Sequence, residues 1–257
     1  MTRKDTTLMK TILVTGGTGS LGRPTVEALR AAGHHLRILS RRPGSDHVRG
    51  DLTTGDGIAA AFEGVSTVLH LATSRGHADV RQTENLIEHA KAAGVGHLIF
   101  SSIVGVDRIP LAYYRDKVTI ESLIAESSVP FTILRATQFH DLIDEMLTAQ
   151  RFLPALLAPA IPLQPVSVEE VAERLTELAA GPPSGRVADL GGPERITVPE
   201  LARAWRLAKR SRRPVLPLRV PGKTFRAFAT GAALAEATQL THGTFDDYLT
   251  GRYGVRK

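Results

Sequence analysis

The stretch TILVTGGTGSLG, residues 11–22, joins a short apolar run directly to a glycine-rich loop. Residues 10–15 predict a buried strand and residues 21–32 a helix, so the loop forms the first turn of a βαβ unit. In such a turn Gly16 permits a sharp bend, Gly19 lets the backbone approach a pyrophosphate, and Gly22 lets the helix pack closely. The helix N-terminus offers N–H groups to phosphates. The stretch predicts a dinucleotide site, with a ligand-free glycine turn as the alternative.

The alternation of short apolar runs and helical segments continues through the first half of the chain. Further strands are predicted at residues 36–40, 47–52, 65–72, 97–102 and 130–135, and further helices at 55–62, 77–93 and 113–127. Repeated βαβ units with right-handed crossovers build a doubly wound parallel sheet. The predicted fold is therefore α/β, of the Rossmann type.

The pattern changes after residue 136. Helices are predicted at residues 139–150, 168–180, 198–209 and 244–249, a strand at 187–190, and irregular, proline-rich chain at 152–165. We expect residues 1–136 to form a dinucleotide-binding Rossmann core, rejoined by about 166–192. Residues 137–257 should form a smaller substrate-binding lobe that is not an independent domain and covers the carboxyl ends of the strands.

Composition excludes several kinds of site. The 257 residues contain no cysteine, which rules out disulfides, thiolate metal sites and a cysteine nucleophile, and no two histidines have HExxH spacing. We therefore expect no metal.

The net charge is +6, and the densest basic cluster, residues 203–213, matches no nucleic-acid motif. Solvated arginines are the simpler interpretation. The expected protein is cytoplasmic, a monomer or homodimer, with a small-molecule substrate and neither a nucleic-acid nor a membrane partner.

The end of the second strand indicates which dinucleotide is bound. NAD sites usually place Asp or Glu there to bind the adenosine ribose, whereas this chain has Ser40-Arg41-Arg42. Two guanidinium groups suit a 2′-phosphate, so NADP(H) is preferred and NAD(H) remains possible. Further cofactor contacts are predicted from loop and strand-end positions: Thr18, Ser20, Leu21, Asp51, Leu52, Leu71, Ala72 and Thr73.

The candidate catalytic residues follow the fifth strand. Tyr113 and Lys117 are four residues apart on a predicted helix, so they share one face. A nearby ammonium stabilises phenolate, which would let the tyrosine exchange a proton with a substrate oxygen. Lys117 could also bind the nicotinamide ribose, and Ser102 could bind the same substrate oxygen. The neighbouring Tyr114 lacks the four-residue step to the lysine.

Four motifs together resemble the short-chain dehydrogenase/reductase superfamily, and more closely its atypical, NmrA-like branch. They are the glycine loop, Ser101-Ser102, Tyr113 with Lys117, and LRAT at residues 134–137. The resemblance implies a Rossmann fold and NAD(P) binding. Members of the branch include NADPH-dependent reductases of quinones, azo dyes and phenylpropanoids. Others are redox sensors that bind the dinucleotide without turnover, and some relatives perform redox-neutral chemistry.

Two departures separate the chain from the sugar-nucleotide-modifying relatives. Ser102 precedes Tyr113 by only eleven residues, and Ile103 stands where those relatives often have a third serine or threonine. The resemblance then implies an NADP-dependent oxidoreductase that reduces a small carbonyl, quinone or enone compound. A dinucleotide-binding sensor without turnover and a redox-neutral isomerase or cyclase remain the alternatives.

Overall fold

The computed structural model describes residues 10–42, 44, 46–74, 76–236 and 239–254. In chain order the elements are β1 (Thr11–Thr15), α1 (Gly22–Ala31), β2 (His35–Ser40), β3 (His47–Arg49), α2 (Ile58–Phe62), β4 (Thr67–His70), α3 (Ala78–Ala92), β5 (His97–Ile103), α4 (Ala112–Glu126), β6 (Phe131–Ala136), α5 (His140–Ala149), β7 (Leu156–Pro159), β8 (Pro162–Leu163), α6 (Val168–Ala180), β9 (Gly185–Arg186), β10 (Leu190–Gly191), β11 (Ile196–Thr197), α7 (Val198–Ala208), β12 (Val215–Leu218), α8 (Lys223–Ala229), β13 (Gln239–Leu240) and α9 (Phe245–Tyr253).

The chain divides into two units. Among the described residues, unit 1 comprises those within 10–101, 119–133 and 172–187, and unit 2 those within 102–118, 134–171 and 188–254. The predicted boundary at residue 136 lies inside the 134–171 segment of unit 2. The division into a dinucleotide-binding core over residues 1–136 and a smaller substrate-binding lobe over residues 137–257 stays a prediction.

A parallel sheet forms the centre of unit 1. Its strands follow the order β3-β2-β1-β4-β5-β6, with β9 beside β6. The pairs β1–β2, β1–β4, β2–β3 and β4–β5 are all parallel. The order reverses between β1 and β4, which is the topological switch point where such sheets bind ligands. The predicted α/β Rossmann fold is therefore confirmed.

The helices of unit 1 cover the sheet with the side chains that the sequence pattern places inward. Val26 and Leu29 of α1 are buried, as are Leu86 and Ile87 of α3. Leu86 and Ile87 pack with strand residues such as Leu98, which is fully buried. A buried aliphatic or aromatic side chain of this size contributes about 1.5–3 kcal/mol to folding. This packing fixes the strand ends that surround the cavity described below.

A buried carboxylate ties three helices of unit 2 together. Asp144 of α5 accepts hydrogen bonds from Trp205 Nε1 of α7 at 2.6 Å and from Tyr253 Oη of α9 at 2.7 Å. Arg252 Nε lies 2.8 Å from the same carboxylate. Burial alone would raise the pKa of Asp144, but the hydrogen bonds from Tyr253 and Trp205 hold it below its usual value. Removing any one of these partners would leave the buried carboxylate with fewer hydrogen bonds and would destabilise the fold.

Several short elements of the second half differ from the sequence-based expectation. The prediction of irregular chain at residues 152–165 is wrong in part, because β7 pairs with β12 and β8 with β11. The predicted strand at residues 187–190 is represented by β9 and β10 on either side, and both pair with β6. Strands β12 and β13 and helix α8 were not predicted at all.

No helix among the described residues is long and apolar enough to span a membrane. Within the same residues, no group of three or more His, Asp or Glu side chains is arranged to hold a metal ion.

Candidate functional site

A cavity of about 600 Å³ opens in unit 1 at the carboxyl ends of β1, β2 and β4. Its walls are the glycine loop and the segments that follow β2, β3 and β4. The lining residues are Thr15, Gly16, Thr18, Gly19, Arg23, Leu39, Ser40, Arg41, Arg42, Gly50, Asp51, Leu52, Leu71, Ala72, Thr73, Ser74 and Gln82. The structure thus brings ten of the predicted cofactor-binding residues around one cavity.

The three glycines of the loop have different structural requirements. Gly16 has φ +70°, and a Cβ there would lie 2.6 Å from the Ala72 nitrogen. At Gly22 a Cβ would lie 2.1 Å from the Gly16 oxygen, so helix α1 packs too closely for any side chain. A Cβ at Gly19 would meet only the Gly16 oxygen, at 3.3 Å. Close packing therefore explains why residues 16 and 22 are glycines. At residue 19 the absence of a side chain instead leaves the cavity wall open.

The N-terminus of α1 stands behind this loop. Gly19 N–H donates to the Gly16 oxygen at 2.9 Å, and Arg23 N–H donates to the Gly19 oxygen at 3.1 Å. No side chain of the described residues caps the helix at Leu21. The positive end of the helix dipole is thus available to an anion. Arg23 Nε donates to the Thr18 oxygen at 3.1 Å, which holds a guanidinium group beside the loop.

Two further guanidinium groups follow β2. Arg41 and Arg42 line the cavity and are exposed, and neither has an ion-pair partner among the described residues. The Arg42 backbone N–H donates to Ser40 Oγ at 3.1 Å, which shapes the turn out of the strand. Together with Arg23, they give the cavity three cationic side chains, against one carboxylate, Asp51. Such a wall favours a ligand with several phosphate charges.

The loop after β3 is held by helix α3. Thr53 N–H donates to Asp51 Oδ1 at 2.7 Å and thereby orients the carboxylate. Asn85 Nδ2 donates to the Leu52 oxygen at 2.7 Å, and Gln82 Nε2 donates to Thr53 Oγ1 at 2.9 Å. Asp51 and Leu52 are therefore fixed at the cavity wall.

A directed chain of hydrogen bonds runs beneath the cavity floor. Thr83 Oγ1 donates to the Asp79 oxygen at 2.8 Å, which leaves it to accept from His70 Nε2 at 3.1 Å. His70 Nδ1 lies 2.7 Å from Thr15 Oγ1, and Thr15 Oγ1 accepts from Ala72 N–H at 3.3 Å. Because Thr83 Oγ1 gives its one proton to Asp79, His70 Nε2 is the donor in the bond between His70 and Thr83. The buried histidine thus joins the ends of β1 and β4.

The segment after β4 is anchored by a carboxylate on the first turn of α3. Asp79 is buried and accepts hydrogen bonds from Thr73 Oγ1 and from both Ser74 N and Oγ, each at 2.5 Å. These bonds fix the wall that faces the glycine loop.

Some predicted cofactor residues lie elsewhere, and some lining residues were missed. Leu21 and Gly22 are buried where α1 begins, and Ser20 is exposed in the same loop. The missed residues are Thr15, Arg23, Leu39, Ser40, Gly50, Ser74 and Gln82. Arg23 could have been found from its position directly after the third glycine. Gln82 had no local signal, because it reaches the cavity only through the packing of α3.

The three predicted catalytic residues all belong to unit 2. Lys117 Nζ lies over the ring of Tyr113, 5.5 Å from its centroid, as expected for residues four apart on helix α4. Lys117 is buried, whereas Tyr113 is half-buried. Ser102 at the end of β5 is also buried, and its Oγ has no hydrogen-bond partner within the described part of the chain. A buried hydroxyl in this state can bind an incoming polar group.

The tyrosine doublet separates into two environments. Tyr114 is buried in an apolar cluster with Val106 and Ile109, whereas the ring of Tyr113 lies at its edge, 6.2 Å from the Tyr114 ring. Burial raises the pKa of Tyr114 to about 12, with a smaller contribution from Tyr113. Tyr114 is thus a packing residue and a poor proton donor.

The residues of the unit 1 cavity fit a dinucleotide. The fit rests on the open space at Gly19, the uncapped end of α1 and the guanidinium groups of Arg41 and Arg42. A helix N-terminus beside a glycine turn binds a pyrophosphate through backbone N–H groups.

Comparison with known proteins assigns the family. A model of the NmrA-like family matches residues 9–248. The chain belongs to the NmrA-like family. The predicted resemblance is confirmed over most of the chain.

Individual relatives of this NmrA-like protein are distant. Photosystem II assembly factor Ycf39 of Trieres chinensis is 31% identical over 149 residues, covering 50% of this chain and 46% of the relative. Quinone oxidoreductase 2 of Escherichia coli is 27% identical over 135 residues, covering 48% and 47%. The chain spans about half the length of these curated relatives. A crystal structure of the E. coli NADPH-dependent quinone oxidoreductase, complexed with NADPH, has a TM-score of 0.79 at 20% identity, covering 94% of this chain and 99% of that one.

Proposed function

We propose that this NmrA-like protein is an NADP(H)-dependent oxidoreductase that reduces a small carbonyl, quinone or enone compound. One observation supports dinucleotide binding most strongly: a single cavity at the switch point of the sheet combines the glycine loop with Arg41 and Arg42. The similarity to a quinone oxidoreductase and to a reductase fold that holds NADPH agrees with this proposal.

The binding residues have separate tasks. The loop from Gly16 to Gly22 and the end of α1 would hold the pyrophosphate, because they present N–H groups and a positive dipole end. Arg41 and Arg42 would hold a 2′-phosphate through paired hydrogen bonds. Asp51 and Leu52 would contact the adenine side of the ligand.

The chemistry would belong to the residues of unit 2. A bound nicotinamide supplies a hydride to the substrate carbon. Tyr113 Oη would donate a proton to the substrate oxygen, and the Lys117 ammonium would stabilise the phenolate that results. Ser102 Oγ would donate a hydrogen bond to the same oxygen, since it has no other partner among the described residues.

Cofactor preference is tested by titrating the purified protein with NADPH and with NADH. We expect NADPH to bind at least about tenfold more tightly, because hydrogen bonds between charged groups contribute ~1.5–3 kcal/mol. The double variant Arg41→Ala/Arg42→Ala should remove this preference. The control Arg49→Ala/Arg81→Ala removes two exposed arginines outside the cavity lining and should keep it. Equal binding of both dinucleotides by the wild type would refute the assignment of the arginines.

Turnover is tested separately with Tyr113→Phe, using a panel of carbonyl compounds and quinones. We expect a loss of about 10²–10⁴-fold in kcat with unchanged NADPH affinity, since one proton donor is removed. Tyr114→Phe is the matched control and should retain activity, because that hydroxyl is buried in the apolar cluster. A wild-type rate that Tyr113→Phe leaves intact would contradict the proposed acid. NADPH binding with no turnover of any compound would favour a binding-only sensor.

A further inference from the structure

The exposed large apolar side chains of unit 2 are concentrated in two segments. Every large hydrophobic residue that is more than a third exposed in the described part of the chain lies within residues 142–157 or 207–216. Phe152 is the most exposed, at 83%. The full set is Leu142, Met146, Phe152, Leu153, Leu157, Leu207 and Leu216. Single exposed leucines are ordinary, but a concentration of this kind marks a contact surface.

The two segments adjoin in space. Strands β7 and β12 pair in parallel, with Leu157 opposite Leu216. Gln150 Oε1 accepts from the Leu157 N–H at 2.8 Å, and Arg213 Nη1 donates to the Gln150 oxygen at 2.6 Å. On α5, Leu142 and Met146 precede Gln150 at steps of four residues and share its face. Leu142, Met146, Phe152, Leu153, Leu157 and Leu216 therefore lie close together, and we call them the 152/216 surface.

Arginines accompany the apolar residues of the 152/216 surface. The Arg151 guanidinium lies 4.5 Å from the centroid of the Phe152 ring, and Arg210 and Arg212 are exposed close in sequence to Leu216. Residues 201–235 contain nine Lys and Arg residues and no Asp or Glu, so this segment alone exceeds the net charge of +6 for the whole chain. Glu145 is an exposed carboxylate on α5 beside the surface.

We propose that the 152/216 surface binds the face of an anionic lipid bilayer. Phe152, Leu153 and Met146 would enter the boundary between headgroups and acyl chains, while the arginines contact lipid phosphates. A second copy of the same surface would bring arginines against arginines, which disfavours a symmetric dimer. A nucleic acid would leave the leucines without a partner. This proposal departs from the expectation of no membrane partner, which rested on composition and motifs alone. The sequence does not show which apolar side chains are exposed.

The test is sedimentation of the full chain with vesicles, first of phosphatidylcholine alone and then with about one third phosphatidylglycerol. We expect at least tenfold stronger partitioning onto the anionic vesicles, weakening as salt is raised. Arg151→Gln/Arg212→Gln should lower partitioning by about fivefold for each charge removed. The control Arg49→Gln/Lys91→Gln removes two exposed charges of unit 1 and should have a much smaller effect.

The apolar contribution is tested with Phe152→Ser/Leu153→Ser, which should lose most of the partitioning, and Phe152→Leu, which should keep it. Both sites are exposed, so the variants should fold as the wild type does. Equal partitioning onto neutral and anionic vesicles, or full partitioning of the serine variant, would overturn the proposal.

Binding to duplex DNA that the serine substitutions leave unchanged, with no vesicle binding, would assign the charges to a nucleic acid. A concentration-dependent dimer that the same substitutions dissociate, again without vesicle binding, would assign the surface to self-association. The assay needs neither cofactor nor substrate, so its outcome is independent of the proposed oxidoreductase activity.

Discussion

Replacing Gly19 with alanine separates binding from folding in the glycine loop. A Cβ at Gly19 would meet only the Gly16 oxygen, at 3.3 Å, and the Gly19 N–H that donates to Gly16 would be retained. Alanine restricts the unfolded chain, which favours folding by about 0.4–1 kcal/mol and offsets the tight contact. We therefore expect the free energy of unfolding of Gly19→Ala to stay within about 1 kcal/mol of the wild type.

The same methyl group should impair dinucleotide binding. It would occupy the open space at the cavity wall where the pyrophosphate must approach the backbone. We expect the dissociation constant for NADPH to rise at least tenfold, which corresponds to about 1.4 kcal/mol. The measurement is a fluorescence titration with NADPH, paired with denaturant unfolding of the same preparation.

Gly22→Ala is the matched comparison because its Cβ would lie 2.1 Å from the Gly16 oxygen and 2.7 Å from Gly17 Cα. Both neighbours are backbone and cannot rotate away. Alanine gains about 1 kcal/mol of helix propensity, but forcing atoms into a packed site costs about 1–3 kcal/mol or more. We expect a net loss of stability in this variant. Gly19→Ala that binds NADPH like the wild type would refute the placement of the phosphates, and an equally stable Gly22→Ala would refute the packing argument.

Three further predictions concern buried polar groups. Burial, with a smaller contribution from Lys10, lowers the pKa of His97 to about 4, so the unfolded chain binds its proton more readily. The contribution of His97 to the free energy of unfolding should be fully present above about pH 6.5, fall by roughly 3 kcal/mol towards pH 4 and then level off. The variant His97→Gln should flatten this part of a pH-dependent unfolding curve. Histidine NMR should show a proton on Nε2 of His70. The variant His70→Phe should weaken NADPH binding several-fold, and adding Thr15→Val should cost little more, since both substitutions disrupt one chain of hydrogen bonds. Asp144→Asn should lower the free energy of unfolding by about 2–4 kcal/mol at pH 7, because the donors around it lose a charged acceptor, and full additivity with Trp205→Phe would contradict a shared network.

The sequence predicted the parts of the fold whose signals are local. Most strands of the unit 1 sheet from β1 to β6 are short apolar runs that adjoin a helix in the sequence, and each strand was found within three residues of its observed ends. The glycine loop was interpretable because strand, glycines and helix follow one another without interruption. The strands β7 and β12 gave no such signal: they have four residues each, contain prolines and pair across more than fifty positions of the chain. Periodicity needs longer segments than these to be informative.

The site shows the same division between local and non-local information. Arg41, Asp51 and Ala72 were found because each follows a strand, and the carboxyl ends of parallel strands meet at one edge. Gln82 and the His70 chain depend on how α3 packs against the sheet, which no spacing in the sequence specifies. Likewise, the pattern could not show that Phe152 is exposed while Trp205, in an equally apolar context, is buried.

The two sets of functional residues belong to different units, and this makes their roles experimentally separable. The lining of the proposed dinucleotide cavity lies wholly in unit 1, whereas the proposed catalytic residues Ser102, Tyr113 and Lys117 lie in unit 2. A change at Gly19 should alter affinity for the dinucleotide, because the proposed pyrophosphate contacts would be made in every state of the reaction. A change at Tyr113 should alter the rate at saturating cofactor, because its proton is needed only as the substrate oxygen gains charge. An oxidoreductase must show both effects, whereas a dinucleotide sensor would show the first and be unaffected by the second.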